Sequence, residues 1–205
     1  MNTHKIVFAT GNQGKVLEIK EIMKDFLEKH NVELHSLKEE GIKADIVEDG
    51  KTFEENAIIK AKTIMEMTGE IALADDSGLE VDYMDGAPGI YSARFLGEDT
   101  SYDVKNNYII DKLKDAKGSE RSARFVCAMA AAFPNGDIET CRGTIEGVIA
   151  YEQKGTNGFG YDPIVYVPEY EMTTGEMAPE LKNSISHRGK ALEQMKEVLR
   201  RRLQI

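Results

Sequence analysis

A short apolar run that leads through a glycine-containing loop into a helical pattern is the feature that most constrains this chain. Residues Ile6–Ala9 predict a buried strand. The loop after this strand consists of Thr10, Gly11, Asn12, Gln13, Gly14 and Lys15. Apolar residues then recur at the spacing of one helix face, at Val16, Ile19, Met23, Phe26 and Leu27. A strand joined in this way to a helix predicts an α/β fold.

A second helix and a second buried strand follow in the same order. Thr52, with Glu55 three residues later, predicts a capping box at the start of this helix. One face of the helix carries Phe53, Ala57, Ala61, Ile64, Met65 and Thr68. Residues Ile71–Ala74 predict a short strand that ends at the sequence Asp75, Asp76, Ser77 and Gly78.

The second half of the chain changes from this alternation to predicted antiparallel hairpins. Helical spacing recurs first, at Val104, Tyr108, Leu113 and Ala116. Strands are then predicted over residues 122–133, 138–142 and 144–150, with a turn at 134–137. A last helix carries Ala191, Leu192, Met195, Val198 and Leu199. Because no Pro- or Ser-rich linker interrupts the chain, a single α/β domain is expected over residues 1–205, with a mixed sheet and flanking helices.

The net charge of −10, from 26 Lys and Arg against 36 Asp and Glu, narrows the classes of partner. Nucleic-acid polymers and anionic membranes are poor candidates because both need a basic surface, whereas a small phosphorylated ligand that arrives with a metal is still possible. Two cysteines and four scattered histidines exclude a disulfide framework and a four-ligand zinc site. The N-terminal segment lacks the apolar run of a signal peptide, and no run reaches the roughly 18 apolar residues of a membrane span, so a cytoplasmic location is expected.

The loop of residues 10–15 predicts a site for an anion. Its glycines would let main-chain amides approach a ligand, and the N-terminus of the following helix favours negative charge. Lys15 lies in the first turn, from which it could reach a phosphate. The loop is not a Walker A motif, because Ala9 and Val16 stand where Gly and Ser or Thr are needed. An ordinary strand–helix turn with Asn12 as the N-cap is an equal alternative.

The acidic pair Asp75 and Asp76 comes at the end of the second predicted strand, where ligands bind in α/β sheets. Adjacent residues on an extended backbone point to opposite sides, so one carboxylate could face a ligand while the other braces the chain. Magnesium needs only one or two carboxylates when substrate phosphates complete its ligands, and Glu48 is a possible second carboxylate. A solvated acidic turn is the slightly favoured alternative for the pair in isolation.

Lys60 lies beside the apolar face of the second helix. A lysine in that place could reach across a cleft and stabilise phosphoryl charge. For this residue taken alone, a surface lysine with its stem along the apolar face is the more frequent arrangement.

The glycine-rich loop 155–160 leads into Phe159 and Tyr161, which could stack on a base. The alternative is a connecting turn with its aromatic rings packed in the core, which is realistic for one of the two. Further along, Lys182, His187 and Arg188 precede or open the last helix. The fixed donors of Arg188 would prefer a ring with a carbonyl over one with an amino group. The alternative there is helix capping by Ser184 or Ser186 with exposed basic side chains.

Six sequence blocks in order resemble the Ham1/RdgB family, the inosine triphosphate pyrophosphatases: TGNQGK, FEENAIIKA, ADDSGLEV, GAPGIYSARF, GFGYDP and SHRGKAL. The similarity runs from about Ile6 to Leu199. It implies an elongated mixed sheet with two lobes around a central cleft, and a homodimer. It also implies a magnesium-dependent hydrolysis of noncanonical purine nucleoside triphosphates, namely ITP, dITP and XTP, to the monophosphate and pyrophosphate. The implied role is to remove these nucleotides from the pool.

The resemblance also implies roles for individual residues. Asp76 corresponds to the catalytic proton acceptor and magnesium ligand, Glu48 to an acidic residue near the metal, and Lys60 to a lysine that holds phosphates. Residues 10–15 correspond to the triphosphate loop, and Ser77 to a substrate contact. The nucleoside loop corresponds to Phe159, Gly160, Tyr161 and Asp162, and the base-recognition group to Lys182, His187 and Arg188.

The chain departs from the family pattern in two places. Many relatives have two consecutive acidic residues where this chain has Val47 and Glu48. The segment 172–176 reads MTTGE, where relatives often have Lys-Thr-Phe, and no function is attached to that change.

Two other activities compete with this interpretation. One is a Maf-like pyrophosphatase that acts on other nucleotides, and the other is a nucleotide-binding sensor that does not hydrolyse. Asp76 and Lys60 argue against the sensor, because binding alone needs no carboxylate beside the phosphates. Guanine also carries a 6-oxo group, so rejection of GTP must involve its 2-amino group.

Overall fold

The structure is a computed structural model that describes residues 3–205. Met1 and Asn2, which belong to the predicted domain, lie outside the described residues. The helices of this range are α1 Gln13–His30, α2 Phe53–Thr68, α3 Tyr102–Lys112, α4 Pro179–Ile185 and α5 His187–Leu203. Its strands are β1 His4–Phe8, β2 Val32–Ser36, β3 Ile71–Val81, β4 Ser122–Ala132, β5 Ile138–Ile149, β6 Val165–Val167 and β7 Met172–Thr173.

The strands form a mixed sheet in the order β2-β1-β3-β4-β5-β6-β7. Strand β1 is parallel to β2, with Ile6 opposite Leu34, and parallel to β3, with Ile6 opposite Ile71. Strand β6 is antiparallel to both β5 and β7. Helix α1 supplies the long connection that parallel strands require between β1 and β2. The predicted fold class, an α/β fold with a mixed sheet and flanking helices, is therefore confirmed.

The chain divides into two compact units. Unit 1 contains the residues up to Asp76, together with Cys127–Gly143 and Arg188–Ile205. Its core includes Ile6, Ile19 and Met23 from the first strand and helix, and Leu192 and Met195 from α5. Unit 2 contains Ser77–Val126 and Thr144–His187, and its core is a separate cluster that includes Leu79, Ile109, Phe125, Tyr161 and Ile164.

Helix α1 forms as its apolar pattern predicts. Val16, Ile19, Met23 and Phe26 are buried. Asn12 is the N-cap, since its side chain accepts a hydrogen bond from the Lys15 amide at 3.2 Å. Asn31 ends the helix in the left-handed conformation that asparagine tolerates at this position.

Two predicted boundaries in the sheet are wrong. Strand β3 does not end before Asp75 but is 11 residues long, Ile71–Val81, so the acidic pair lies within the strand. The sequence Asp-Asp-Ser-Gly resembles a turn, yet both carboxylates have partners in unit 1 that compensate for their burial. The two strands predicted over 138–150 form one strand of 12 residues, because Gly143 does not interrupt the pairing.

The predicted faces and ends of two helices also differ from those observed. On α3, Val104 and Tyr108 are exposed, whereas Lys105 and Asn106 are buried. These two polar side chains are buried because they donate to main-chain oxygens of Ala93 and Gly160. At the start of α2, Thr52 accepts from the Glu55 amide, but the Glu55 carboxylate accepts from Lys51 rather than from Thr52. The predicted capping box is therefore only half formed.

Four short elements are not predicted by the sequence patterns, namely β2, β6, β7 and α4. Across residues 3–205, no helix is both long enough and apolar enough to cross a membrane.

Candidate active site

Asp76 lies on β3 with its side chain directed to α2. Its side chain is 10% exposed, so the solvated acidic turn is excluded. Asn56 Nδ2 donates to Asp76 Oδ2 at 3.1 Å, and Lys60 Nζ lies 3.6 Å from Asp76 Oδ1. Both partners come from successive turns of one helix face, so α2 fixes the orientation of this carboxylate.

Lys60 joins Asp76 to a second carboxylate. Its Nζ donates to Glu48 Oε2 at 3.0 Å. Only 8% of the residue is exposed, so the surface lysine considered above is wrong. Asn56 Oδ1 accepts from the Gly50 amide at 2.9 Å, which ties the segment before α2 to the helix. A Cβ at residue 50 would lie 2.6 Å from Asn56 Oδ1, so this approach requires glycine.

Burial and charge shift the pKa values of these groups in a direction that suits phosphate chemistry. Burial raises the pKa of Asp76 above its ordinary value, and the positive charges of Lys60 and Lys15 oppose this only in part. Burial alone would lower the pKa of Lys60, but Asp76, Asp75 and Glu48 together raise it. Lys60 is therefore positively charged at neutral pH beside a carboxylate that is a stronger base than usual.

The carboxylates of this site fit a hard divalent cation whose other ligands are water molecules and phosphate oxygens. The carboxylates of Asp76 and Glu48 both pair with the ammonium group of Lys60. Across residues 3–205, no group of three or more His, Cys, Asp or Glu side chains could hold a metal ion. Two carboxylates without nitrogen or sulfur ligands suit Mg²⁺, which is bound by one or two carboxylates plus substrate phosphates.

Asp75 pairs closely with other side chains than Asp76 does, as the alternation along a strand predicts. Its side chain is 0% exposed, and its Oδ2 lies 3.1 Å from Lys15 Nζ and 3.1 Å from Arg188 Nη2. Arg188 Nη1 contacts Glu18 as well. Burial opposes ionisation of Asp75, but Lys15 and Arg188 hold its pKa well below the ordinary value. Asp75 therefore connects the first turn of α1 with the start of α5.

The structure of the loop before α1 is compatible with both interpretations of its sequence, an ordinary strand–helix turn and an anion site. Thr10 Oγ1 accepts from the Asn12 amide at 3.2 Å, and Asn12 caps the helix. Gly11, Asn12 and Gln13 are exposed, whereas Lys15 is half-buried and its ammonium group pairs with Asp75. The cap that defines an ordinary turn is thus present, together with an accessible helix N-terminus that can take an anion.

In unit 2, the loop of residues 159–162, which the family resemblance predicts to bind the nucleoside, is organised around the buried carboxylate of Asp162. Its Oδ2 accepts from the Phe159 amide at 2.8 Å and from Lys182 Nζ at 2.7 Å. Tyr161 packs in the core, where its hydroxyl donates to the Ser92 oxygen at 2.7 Å. Phe159 is only partly buried, so of the two aromatic rings it is the one available for stacking.

The basic residues near the last helix are buried, so the exposed basic side chains of the capping alternative are wrong. Lys182, His187 and Arg188 are 5%, 6% and 2% exposed. His187 stacks on Phe125 in unit 2, with ring centroids 4.8 Å apart and an interplanar angle of 17°. Arg188 belongs to unit 1, where its guanidinium contacts Asp75 and Glu18.

Several side chains that support these groups are not predicted from the sequence. Asn56 gave a local signal, because an amide at a buried position of a helix face needs a partner. Glu18 and Thr174 gave none, since their contacts with Arg188 and Asp162 depend on folding. Ser77, by contrast, was predicted, and it lies half-buried on β3 in unit 2.

Comparison with known proteins gives full-length similarity. Residues 6–198 match the model of the Ham1 family. A protein of Desulforamulus reducens named dITP/XTP pyrophosphatase is 50% identical over 197 residues, which cover 96% of each chain. A protein of Clostridium perfringens with the same name is 48% identical over 202 residues, covering 96% of this chain and 97% of the relative. The solved structure of a HAM1 protein from Coxiella burnetii has a TM-score of 0.85 and 42% identity, covering 96% of this chain and 98% of that one.

Proposed function

Because the chain belongs to the Ham1 family, we propose that it hydrolyses ITP, dITP and XTP to the monophosphate and pyrophosphate. The names of its relatives support this substrate class, and their similarity over nearly the whole length supports a single domain over residues 1–205. Removal of these noncanonical purine nucleotides from the pool is the role that follows.

The observation that supports this function most is the buried group of Asp76, Lys60 and Glu48 in unit 1. A water molecule attacks the α-phosphorus, the anhydride bond between the α- and β-phosphates breaks, and pyrophosphate leaves. Asp76 accepts the proton of that water, as a buried carboxylate held between Asn56 and Lys60. Asn56 holds the carboxylate in one orientation while the transfer takes place.

Two lysines neutralise the negative charge of the phosphates. Lys60 is held as a cation by the surrounding carboxylates and acts on the charge that develops toward the leaving group. Lys15 acts at the N-terminus of α1, where Thr10, Gly11, Asn12, Gln13 and Gly14 form the triphosphate loop. Asp76 and Glu48 are the residues that would hold Mg²⁺, which, when bound, neutralises phosphate oxygens and makes water more acidic.

The nucleoside is assigned to the loop of Phe159, Gly160, Tyr161 and Asp162 and to a base-recognition group further along the chain. Phe159 stacks on the base, and its neighbours Gly160, Tyr161 and Asp162 give the loop its shape. Lys182, His187 and Arg188 contact the base, and Ser77 contacts the substrate, as the family resemblance implies. Donors at the 6-oxo edge favour hypoxanthine and xanthine over adenine.

Pyrophosphate release from dITP, XTP, dGTP, dATP and dUTP by the purified full chain tests this function. With Mg²⁺, kcat/KM for dITP and XTP is expected to exceed that for dGTP by about tenfold or more. In EDTA no release is expected, and added Mg²⁺ should restore it. Equal values for dGTP and dITP contradict the base selectivity. Preference for dUTP favours the Maf-like alternative, and no release from any nucleotide favours the sensor.

A homodimer and a cytoplasmic location are also part of this proposal, on the strength of the family resemblance. Light scattering coupled to size-exclusion chromatography distinguishes a dimer from a monomer of 22.9 kDa. Elution as a monomer at all concentrations contradicts the proposed assembly without affecting the proposed activity.

A further inference from the structure

We propose that Thr174 is a positioning residue for the nucleoside loop, and that it acts by fixing the orientation of the Asp162 carboxylate. This inference rests on the proposed function and deepens it, because it names a determinant of nucleotide affinity outside the residues that touch the base. Thr174 lies in the segment 172–176, for which the sequence alone indicates no function.

The two oxygens of Asp162 have separate donors. Oδ2 accepts from the Phe159 amide and from Lys182 Nζ, at 2.8 and 2.7 Å. Oδ1 accepts from Thr174 Oγ1 at 2.8 Å. With Asp162 only 3% exposed, water cannot easily replace any of these donors. The hydrogen bond that Asp162 Oδ1 accepts therefore depends on the hydroxyl of Thr174.

The proton of Thr174 goes to the carboxylate rather than to the main chain. A hydroxyl has one proton, and Thr174 Oγ1 also lies 3.1 Å from the main-chain oxygen of Asp162. That oxygen already accepts from the Gly175 amide at 2.9 Å. The carboxylate oxygen is nearer and negatively charged, which makes it the stronger acceptor.

Thr174 is itself held in place. It directly follows β7, its amide donates to the Val165 oxygen at 2.9 Å, and it is 1% exposed. An aspartate carboxylate turns easily about its last torsion, so its orientation has to come from its hydrogen-bond partners. A buried hydroxyl on a fixed backbone supplies this constraint.

The orientation matters because the loop is built closely around the carboxylate. A Cβ at residue 158 would lie 2.1 Å from Asp162 Oδ2 and 2.8 Å from Lys182 Nζ, so no side chain fits at Gly158. Lys182 Nζ also lies 5.4 Å from the centroid of the Phe159 ring. A turn of the carboxylate would therefore displace the Phe159 amide and the Lys182 ammonium together, and both residues are assigned to the base.

The variant Thr174→Val tests this inference, because it keeps the shape of the side chain and removes the donor. KM for dITP is expected to rise about fivefold, the loss of roughly one hydrogen bond, while kcat changes less than about twofold. Thr174→Ser keeps the hydroxyl and should restore KM. Thr173→Val is the matched control: Thr173 is buried and its hydroxyl donates to the Lys154 oxygen at 2.7 Å, away from Asp162. Its KM should stay within about twofold of the original value.

Calorimetric binding of IMP provides a readout that does not need hydrolysis. Thr174→Val should weaken IMP binding by the same factor as it raises KM, with Thr173→Val unchanged. Equal KM values for Thr174→Val and the original chain overturn the inference, as does an equal rise in both valine variants. If Thr174→Val does not fold, Thr174→Ala takes its place with the same expectation. A chain that binds IMP but releases no pyrophosphate overturns the proposed function alone, and the IMP data still test Thr174.

Discussion

Replacing Asp76 with asparagine is expected to lower kcat for pyrophosphate release from dITP by about 10²- to 10⁴-fold. The amide has nearly the shape of the carboxylate and keeps an oxygen that can accept from Asn56 Nδ2, now at 3.1 Å from Asp76 Oδ2. It cannot accept the proton of the attacking water at neutral pH, and it is a poorer ligand for Mg²⁺. Steady-state kinetics with saturating Mg²⁺ measures the loss.

The same variant should still bind the nucleotide, which separates catalysis from binding. Calorimetry with IMP is expected to give a Kd close to that of the original chain, because Asp76 does not contact the base in this assignment. Asp111→Asn is the matched control, since Asp111 is an exposed aspartate on α3 in unit 2. Its kcat should be unchanged. Activity retained by Asp76→Asn would remove Asp76 from the catalytic role.

The parts of the fold that depend on local patterns are predictable from the sequence. Helix α1 has an N-cap at Asn12 and a regular apolar face, and both lie within the segment that they define. The alternation along a strand likewise predicts that Asp75 and Asp76 point to different sides, and their separate partners agree with this.

The parts that depend on remote partners are not predictable in this way. In the sequence, Lys60 resembles a surface lysine, because its partner Glu48 reaches its ammonium group only in the folded chain. Asp76 likewise reaches Lys60 only when β3 packs against α2. Strand β3 was predicted too short for the same reason, because two adjacent carboxylates are buried only where distant cations compensate for them. Of the four positions that hydrophobic spacing selected around α3, Leu113 and Ala116 are buried but Val104 and Tyr108 are exposed. Lys105 and Asn106 are buried instead, because they donate hydrogen bonds to distant main-chain oxygens.

This dependence on remote partners leads to a second large effect, now on stability. Asp75→Asn is expected to lower the free energy of unfolding by about 3–5 kcal/mol, the usual result of breaking a buried ion pair from one side. The amide would leave Lys15 and Arg188, whose Nζ and Nη2 both lie 3.1 Å from Asp75 Oδ2, without that negative charge. For a chain of this size, Tm should fall by about 6–20 °C in a calorimetric scan.

Magnesium titration of the same variant distinguishes a brace from a metal ligand. If Asp75 only holds Lys15 and Arg188 in place, the Mg²⁺ concentration for half-maximal rate should not change below the new Tm. If Asp75 binds the metal, that concentration rises and Tm changes little. Glu66→Gln is the control for loss of a negative charge, because Glu66 pairs with Lys62 at 3.8 Å with both side chains more than half exposed. Glu66→Gln should lower the free energy of unfolding by less than about 0.5 kcal/mol, since exposed ion pairs four residues apart on a helix contribute little. A Tm for Asp75→Asn that matches that of Glu66→Gln would contradict the bracing role.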